Sequence, residues 1–494
     1  MRVTFIAAEC EPWAKTGGLA DVVDALARAL GRQPDSPVES PVDVFLPRYR
    51  TVPVPDGATR TPLRVPDPAA TSGTIELSIL DVRADGYRLR LVDHPAAFDR
   101  DGFYGDANGD YDDNAWRFGL FCRAALELHR QEGRPPDVLS LHDWHAAPAA
   151  LLRDRWYADD AVIGPAAGVM TLHNLAYHGW VPRDRLAQLG LVAGDPFAGP
   201  NPDGLDLLRA GIERSELANT VSPGYAAEAL TPDYGMGLDG LLRAKGDRFF
   251  GILNGLDTKL WDPATDRELV APYSAADLRG KAACRSDLLV RVGLNPDDRS
   301  PVLGMIGRLD PQKGFDLLAG AAPKLVARGA RLVVLGTGDA RLMAGLARQA
   351  ARWPDRIALI DRFDRSLARK IYAGIDLFVM PSRFEPCGQG QMIALRYGSP
   401  PIVRQTGGLR DTVVDATSKP GKGTGFSFGP ARPTALLRAC ERAISMYEAG
   451  GPGWDGLVAR GMAVDFDWTT GSAPRYVDAY RRAVAIRRDG ARPG

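Results

Sequence analysis

Nine short apolar runs punctuate this chain: Val3–Ala8, Asp137–Leu141, Gly168–Leu172, Leu217–Val221, Val302–Ile306, Arg331–Leu335, Ile357–Ile360, Asp376–Met380 and Pro401–Val403. Each has strand length and is almost continuously apolar, and stretches of helical period lie between many of them. In Leu19, Val22, Val23, Leu26 and Leu30 the steps of three and four put the apolar groups on one helix face. Strands that are apolar on both sides must be covered on both sides. The pattern therefore predicts an α/β fold, parallel sheets between layers of helices.

At 494 residues and roughly 100–200 residues per domain, more than one core is expected. A faint internal echo supports two. Near residue 5 the order is strand, loop with Pro12, Lys15, Gly17-Gly18, then a helix from about Leu19. Near residue 305 it is strand, loop with Asp310-Pro311, Lys313-Gly314, then a helix with Phe315, Leu317 and Leu318. Turn signals (Asn254-Gly255, Asp262-Pro263, Asn295-Pro296) place the boundary between Asn254-Gly255 and Pro301. The expectation is two doubly wound, Rossmann-like domains facing a cleft, residues 1–255 and 256–464. A C-terminal helix of about 465–494 should cross back to the first, because its aromatic face (Trp468, Tyr476, Tyr480) needs a surface. The Pro-rich stretch 34–68 and the Pro/Gly-rich stretch 195–203 read as long surface loops.

The 61 acidic and 61 basic residues cancel, which argues against nucleic acid or an anionic membrane as the main partner. The first apolar run is too short for a signal peptide, and no stretch approaches the ~18 apolar residues of a membrane span. The five cysteines (Cys10, Cys122, Cys284, Cys387, Cys440) are scattered, with no C-x-x-C pair. That favours a reducing, cytoplasmic compartment over a disulfide framework or a zinc site. No metal and no other cofactor is expected. Only nine of the 61 basic residues are lysine, so a lysine beside glycines stands out.

Four strand-to-helix loops carry candidate chemistry. In Lys15-Thr16-Gly17-Gly18-Leu19-Ala20-Asp21, glycine amides at a helix start can approach an anion and Lys15 can counter its charge. A plain glycine turn with a solvated lysine fits as well, and the order is not that of a P-loop. Arg308 and Lys313 can converge on a diphosphate at the carboxyl end of a sheet; two exposed cations are the bland alternative. Glu385, ahead of Cys387-Gly388, can hold sugar hydroxyls, and Thr406-Gly407-Gly408 forms another such turn. His142, His145 and His173 fall at strand ends. Cys387 at a helix start is a minor candidate nucleophile. Gly336-Thr337-Gly338 lacks the third glycine of a dinucleotide fingerprint, since position 341 is Arg, and a hydride-transfer reading is rejected.

In series these segments resemble the bacterial glycogen synthases and plant starch synthases. The resemblance runs nearly end to end. It includes Lys15–Asp21, His142–His145, Thr171–Tyr177, Val221-Ser222-Pro223-Gly224-Tyr225 and Gly237-Leu238-Asp239-Gly240. It continues through Gly251–Asp257, Arg308–Gly314, Glu385-Pro386-Cys387-Gly388 and Thr406–Asp411. It implies a retaining glucosyltransferase of the two-domain GT-B fold, with an acceptor-side first domain and a nucleotide-sugar-binding second domain. Lys15, Gly17 and Gly18 would meet the ADP-glucose phosphates, and Asp21, His173 and Asn174 would lie near the glucose. Asn254 would lie at the hinge. Arg308 and Lys313 would hold the diphosphate. Glu385 would bind glucose hydroxyls, supported by Cys387, Gly388, Thr406, Gly407 and Gly408.

Two departures stand out. Gln389-Gly390-Gln391 replaces the frequent Leu-Thr-Gln, and Ile393 stands where related retaining enzymes carry a second Glu. The resemblance implies glucose transfer from ADP-glucose to the 4-hydroxyl of an α-1,4-glucan with retention, catalysed by His173, Arg308, Lys313 and Glu385. Formation of maltose 1-phosphate or sucrose is one alternative; Ile393 speaks against it. An inactive glucan-binding protein is another.

Overall fold

A computed structural model describes residues 1–32, 37–192 and 194–490. Positions 34–36 of the Pro-rich stretch and 491–494 of the C-terminal segment lie outside the described residues. The chain forms two compact units. One comprises Met1–Val221, Ala226–Gly255 and the segment from Trp468; the other comprises Ser222–Tyr225 and Leu256–Asp467.

The first unit is built on a nine-stranded sheet. Its central strand, Val3–Ile6, pairs in parallel with Val42–Pro47 on one side and Val138–His142 on the other. Beyond Val138–His142 come Ala167–Leu172, Leu217–Thr220 and Phe249–Gly251, all parallel. Beyond Val42–Pro47 come parallel Tyr87–Asp93 and then antiparallel Thr74–Arg83 and Thr59–Pro66. The chain thus leaves Val3–Ile6 in one direction and returns on its other side at Val138–His142. That reversal is where an open α/β sheet binds ligands, outside the carboxyl ends of its strands. The helix Gly18–Arg32 buries Leu19, Val22, Val23, Leu26 and Leu30, the predicted face.

One reading needs correction, and one strand escapes the apolar pattern. The Pro-rich stretch 34–68 is not one long loop: it contains the buried strand Val42–Pro47 and the edge strand Thr59–Pro66. An edge strand tolerates Pro62 and Pro66 because it has a side on which no ladder donor is needed. Tyr87–Asp93 is also a strand although Arg88 and Arg90 break its apolar run. Buried Arg90 is satisfied by Glu132, at 2.7 and 2.9 Å, and by Asp43.

The helix Ala473–Gly490 belongs to this first unit and buries Tyr476, Val477 and Tyr480. The Asn219 amide donates to the Tyr476 hydroxyl at 3.3 Å, Ser140 and Tyr480 hydroxyls meet at 3.0 Å, and Ser472 donates to the Leu253 carbonyl.

The second unit is a six-stranded parallel sheet, in the order Ile357–Ile360, Arg331–Leu335, Val302–Ile306, Leu377–Met380, Pro401–Arg404, Phe426–Phe428. Its reversal falls between Val302–Ile306 and Leu377–Met380. The loops after these neighbouring strands carry Arg308, Lys313 and Glu385. Ser222–Tyr225 counts with this unit because Ser222 Oγ donates to the Pro386 carbonyl at 2.5 Å and the Gly224 amide donates to Asp411 at 2.7 Å. Among the described residues no helix is long and apolar enough to cross a membrane.

Candidate active site

In the first unit the chain leaving Val3–Ile6 reaches Glu9, whose side chain is buried. Its carboxylate accepts the Thr16 amide at 2.6 Å, the Thr16 hydroxyl at 2.5 Å, the Gly17 amide at 3.0 Å and the Tyr104 hydroxyl at 2.7 Å. The Lys15–Gly18 turn is therefore wrapped around an internal carboxylate. This revises the anion argument: the Gly17 amide serves Glu9, and the turn presents Lys15 and Gly18 instead. Lys15 Nζ lies 2.5 Å from Asp21 and 3.4 Å from Glu11. Ideal Cβ atoms on Gly17 and Gly18 would meet nothing within 4 Å, so their surroundings are open to a ligand.

The next two strand ends hold a second group. Asp143, directly after Val138–His142, has φ +58°, a left-handed conformation that Asp tolerates better than most residues. That turn lets its carboxylate accept the His173 amide at 2.7 Å and the Asn174 amide. Burial raises its carboxyl to about 7, against the two amides that favour ionisation. His173 is partly exposed, and its Nε2 lies 3.0 Å from Nδ1 of His142. Desolvation lowers His173 to about 3, so the ring is neutral. The Asn174 side chain caps its own loop by accepting the Ala176 amide. His145 plays a packing part: it lies against Trp144, Tyr104 and Phe118, and among the described residues neither of its buried ring nitrogens has a hydrogen-bond partner.

In the second unit Lys313 and Glu385 come together across 72 residues of sequence. Nζ lies 2.7 and 3.0 Å from the two carboxylate oxygens, and the Ser382 hydroxyl adds a bond of 2.9 Å. Asp310 accepts the Lys313 amide, fixing the turn that presents the lysine. Arg308 is largely exposed, 3.6 Å from Asp310. Gln391 braces the Glu385–Gly388 loop by donating to the carbonyls of Cys387 and Gly388 and to the Thr412 hydroxyl. Gly407 and Gly408 press against this loop. A Cβ on Gly407 would lie 2.1 Å from the Glu385 carbonyl oxygen, and one on Gly408 2.4 Å from that of Cys387. The Gly408 amide donates to the Glu385 carbonyl at 3.1 Å. Their glycines thus serve close approach of two loops, and that amide is not available to a phosphate.

The departure at Gly390 falls at a close contact. A Cβ there would come within 3.1 Å of the Phe378 ring and 3.2 Å of the Tyr372 hydroxyl. Asn254 is buried in the first unit, its Oδ1 without a hydrogen-bond partner among the described residues. All five cysteines are buried thiols, and burial raises those of Cys10, Cys122 and Cys440. Among the described residues no three metal-capable side chains form a group. Sequence reasoning missed Glu9, Asp143 and Gln391 as parts of these sites. For Asp143 the signal was its place directly after a buried strand.

Two doubly wound sheets, each with charged side chains at the carboxyl ends of its reversal strands, agree with the comparisons in defining a GT-B glycosyltransferase. The starch synthase catalytic domain family matches residues 2–244, and glycosyl transferases group 1 matches residues 300–446. A glycogen synthase of Syntrophotalea carbinolica is 43% identical over 498 residues, covering 98% of this chain and 99% of that protein. One from an Anaeromyxobacter species is 44% identical, covering 98% and 100%. The structure of the catalytic domain of starch synthase IV from Arabidopsis thaliana, bound to ADP and acarbose, matches with a TM-score of 0.88 at 35% identity, covering 98% and 99%. A sucrose-phosphate synthase from Thermosynechococcus elongatus, TM-score 0.61 at 18% identity, shares the fold. The chain belongs to the family of bacterial glycogen synthases and plant starch synthases.

Proposed function

We propose that this enzyme is a cytoplasmic glycogen synthase that transfers glucose from ADP-glucose to the 4-hydroxyl at the non-reducing end of an α-1,4-glucan, with retention. The observation that carries this reading is the full-length match to glycogen synthases, 43% identical over 98% of the chain. The ADP and acarbose of the starch synthase structure point to the same donor and acceptor classes. Buried, scattered thiols suit a reducing cytosol.

In this reading Lys15 and Gly18 meet the donor phosphates, with Glu9 holding their turn through Gly17. Asp21 orients Lys15. His173 and Asn174 face the glucose, their backbone set by Asp143, and Asn254 adds a polar group. Arg308 and Lys313 take the diphosphate. Glu385 binds glucose hydroxyls, steadied by Cys387, Gly388 and the Thr406–Gly408 turn. As the glycosidic bond breaks, ADP gains negative charge. Fixed cations aimed at that charge stabilise the transition state more than the ground state. Lys313 is held in advance by Glu385, so little reorganisation is needed. With Ile393 at the second-Glu position, attack on the front face guided by the leaving phosphate suits these residues better than a two-carboxylate double displacement.

Initial rates on glycogen with ADP-glucose and UDP-glucose test the donor. Product analysis with glycogen, glucose 1-phosphate and fructose in competition tests the acceptor. Chain extension of glycogen with ADP-glucose preferred is expected; glucan binding without ADP release would overturn the reading.

A further inference from the structure

A buried chain of side chains links the C-terminal helix to His173. Tyr480 OH lies 3.0 Å from Ser140 Oγ, which lies 3.2 Å from His142 Nε2; His142 Nδ1 lies 3.0 Å from His173 Nε2. Ser140 and His142 share one buried strand, and Tyr480 is fully buried on Ala473–Gly490. The Phe5 ring packs on His142, with centroids 5.1 Å apart, which restrains that imidazole.

Both imidazoles are neutral, so each carries one ring proton. Burial holds the Tyr480 phenol protonated as well. Among the described residues neither Tyr480 OH nor Ser140 Oγ has another hydrogen-bond partner. The direction of the chain then follows from donor accounting. If Tyr480 donates to Ser140, Ser140 to His142 Nε2, and His142 Nδ1–H to His173 Nε2, every inner donor has an acceptor. If His173 Nε2–H donates inward instead, a hydroxyl proton of Ser140 or Tyr480 is left buried without an acceptor. A buried donor left without an acceptor forfeits its hydration with nothing in return, so this second arrangement is disfavoured.

We infer that Ser140, anchored by Tyr480, is a positioning residue that holds both His142 and His173 in the Nδ1–H tautomer, so that His173 presents an N–H donor to the sugar. Free imidazole side chains favour the Nε2–H form, so the assignment is not the default. The tautomer follows from the structure alone; its value for catalysis rests on the proposal that His173 faces the glucose.

Long-range ¹H–¹⁵N spectra of full-length, ¹⁵N-histidine-labelled enzyme read the tautomers, with His142→Asn and His173→Asn variants assigning the signals. Both rings should show a protonated Nδ1 and an unprotonated Nε2; a His173 ring protonated at Nε2 overturns the inference. Ser140→Ala should shift both rings toward Nε2–H, because either state then leaves one His142 nitrogen unpartnered. It should lower kcat about tenfold, the worth of one neutral hydrogen bond, with the KM for ADP-glucose little changed. Ser140→Thr keeps the hydroxyl and should keep both tautomers. Tyr476→Phe removes the neighbouring hydroxyl on the Asn219 side and should leave them unchanged. If Ser140→Ala folds poorly because Tyr480 is orphaned, the Ser140→Ala/Tyr480→Phe double variant removes both polar groups and should show the same shift. Unchanged tautomers in these alanine variants sink the relay. Shifted tautomers with unchanged kcat support the relay and remove His173 from the transfer.

Discussion

The Lys15 and Lys313 loops share one sequence pattern and are wired differently. Each follows the central strand of its sheet and places a lysine just before glycine at a helix start. The first is tied mostly by near neighbours: Lys15 to Asp21 and Glu11, and Thr16 and Gly17 to Glu9. The second is tied by topology: Lys313 meets Glu385 because Leu377–Met380 pairs with Val302–Ile306. The glycines differ too. Gly17 and Gly18 have open surroundings, whereas Gly314 has φ +74° and a Cβ there would lie 2.5 Å from the Pro381 carbonyl oxygen. The repeated pattern thus yields a surface for approach in one unit and a locked junction in the other.

The largest expected effect tests the locked junction. Lys313→Ala and Arg308→Ala should each lower kcat by about 10²–10³, the usual cost of removing one preorganised donor to developing charge. Because Lys313 and Glu385 form one pair, Lys313→Ala with Glu385→Ala should lose less than the product of the single losses. Near wild-type kcat for Lys313→Ala at saturating ADP-glucose would erase the distinction between the loops.

Next in size is Gly314→Ala, which should destabilise the fold by about 2 kcal/mol or more, since a side chain in the left-handed region alone costs ~1–2 kcal/mol. Gly17→Ala should leave denaturant midpoints unchanged. Equal losses would mean that both glycines are structural. Lys15→Ala should act mainly on KM, raising it about tenfold with kcat nearly kept, as loss of uniform binding does. Glu9→Gln should raise KM in the same direction by loosening the turn. A kcat collapse in Lys15→Ala would put it in the same class as Lys313.

The smallest effect is on stability against pH. Burial holds His129 (about 4), His142, His145 and His173 (about 3) neutral in the fold. The unfolded chain takes up protons at these positions below about 6.5, so the melting temperature should fall as pH drops from 7 toward 4.5. Asp143, raised by burial, and His178, raised by its bond to Asp206, act in the opposite sense. His94 is lowered like the four, and Asp81 and Asp411 are raised like Asp143; a melting temperature that rises on acidification would mean that the raised groups outweigh the lowered histidines.

How much was legible follows from how local each feature is. Strands such as Val302–Ile306 were readable because continuous apolar runs need no partner to be recognised. Tyr87–Asp93 was not, because Arg90 is tolerable only once Glu132 arrives from a distant helix. The Lys15 turn is legible in its letters, but nothing in the sequence separates its organiser Glu9 from neighbouring Glu11. Lys313 and Glu385 were each named; that they touch depends on strand order, which no local window contains. Asp143 lies inside the His142–His145 segment, yet only its backbone turn shows that it holds the loop bearing His173.

The return of Ala473–Gly490 to the first sheet also sets a clock on biogenesis. The sheet strands that receive Tyr476 and Tyr480 leave the ribosome long before the helix does. About 220 residues separate Gly255 from the start of that helix, and at ~5–20 residues per second the nascent first unit waits roughly 10–45 s with that face uncovered. During that interval Ser140 and Asn219 sit on an unfinished surface, so chaperone demand should concentrate there, and premature termination anywhere after residue 255 should leave a sticky half-product.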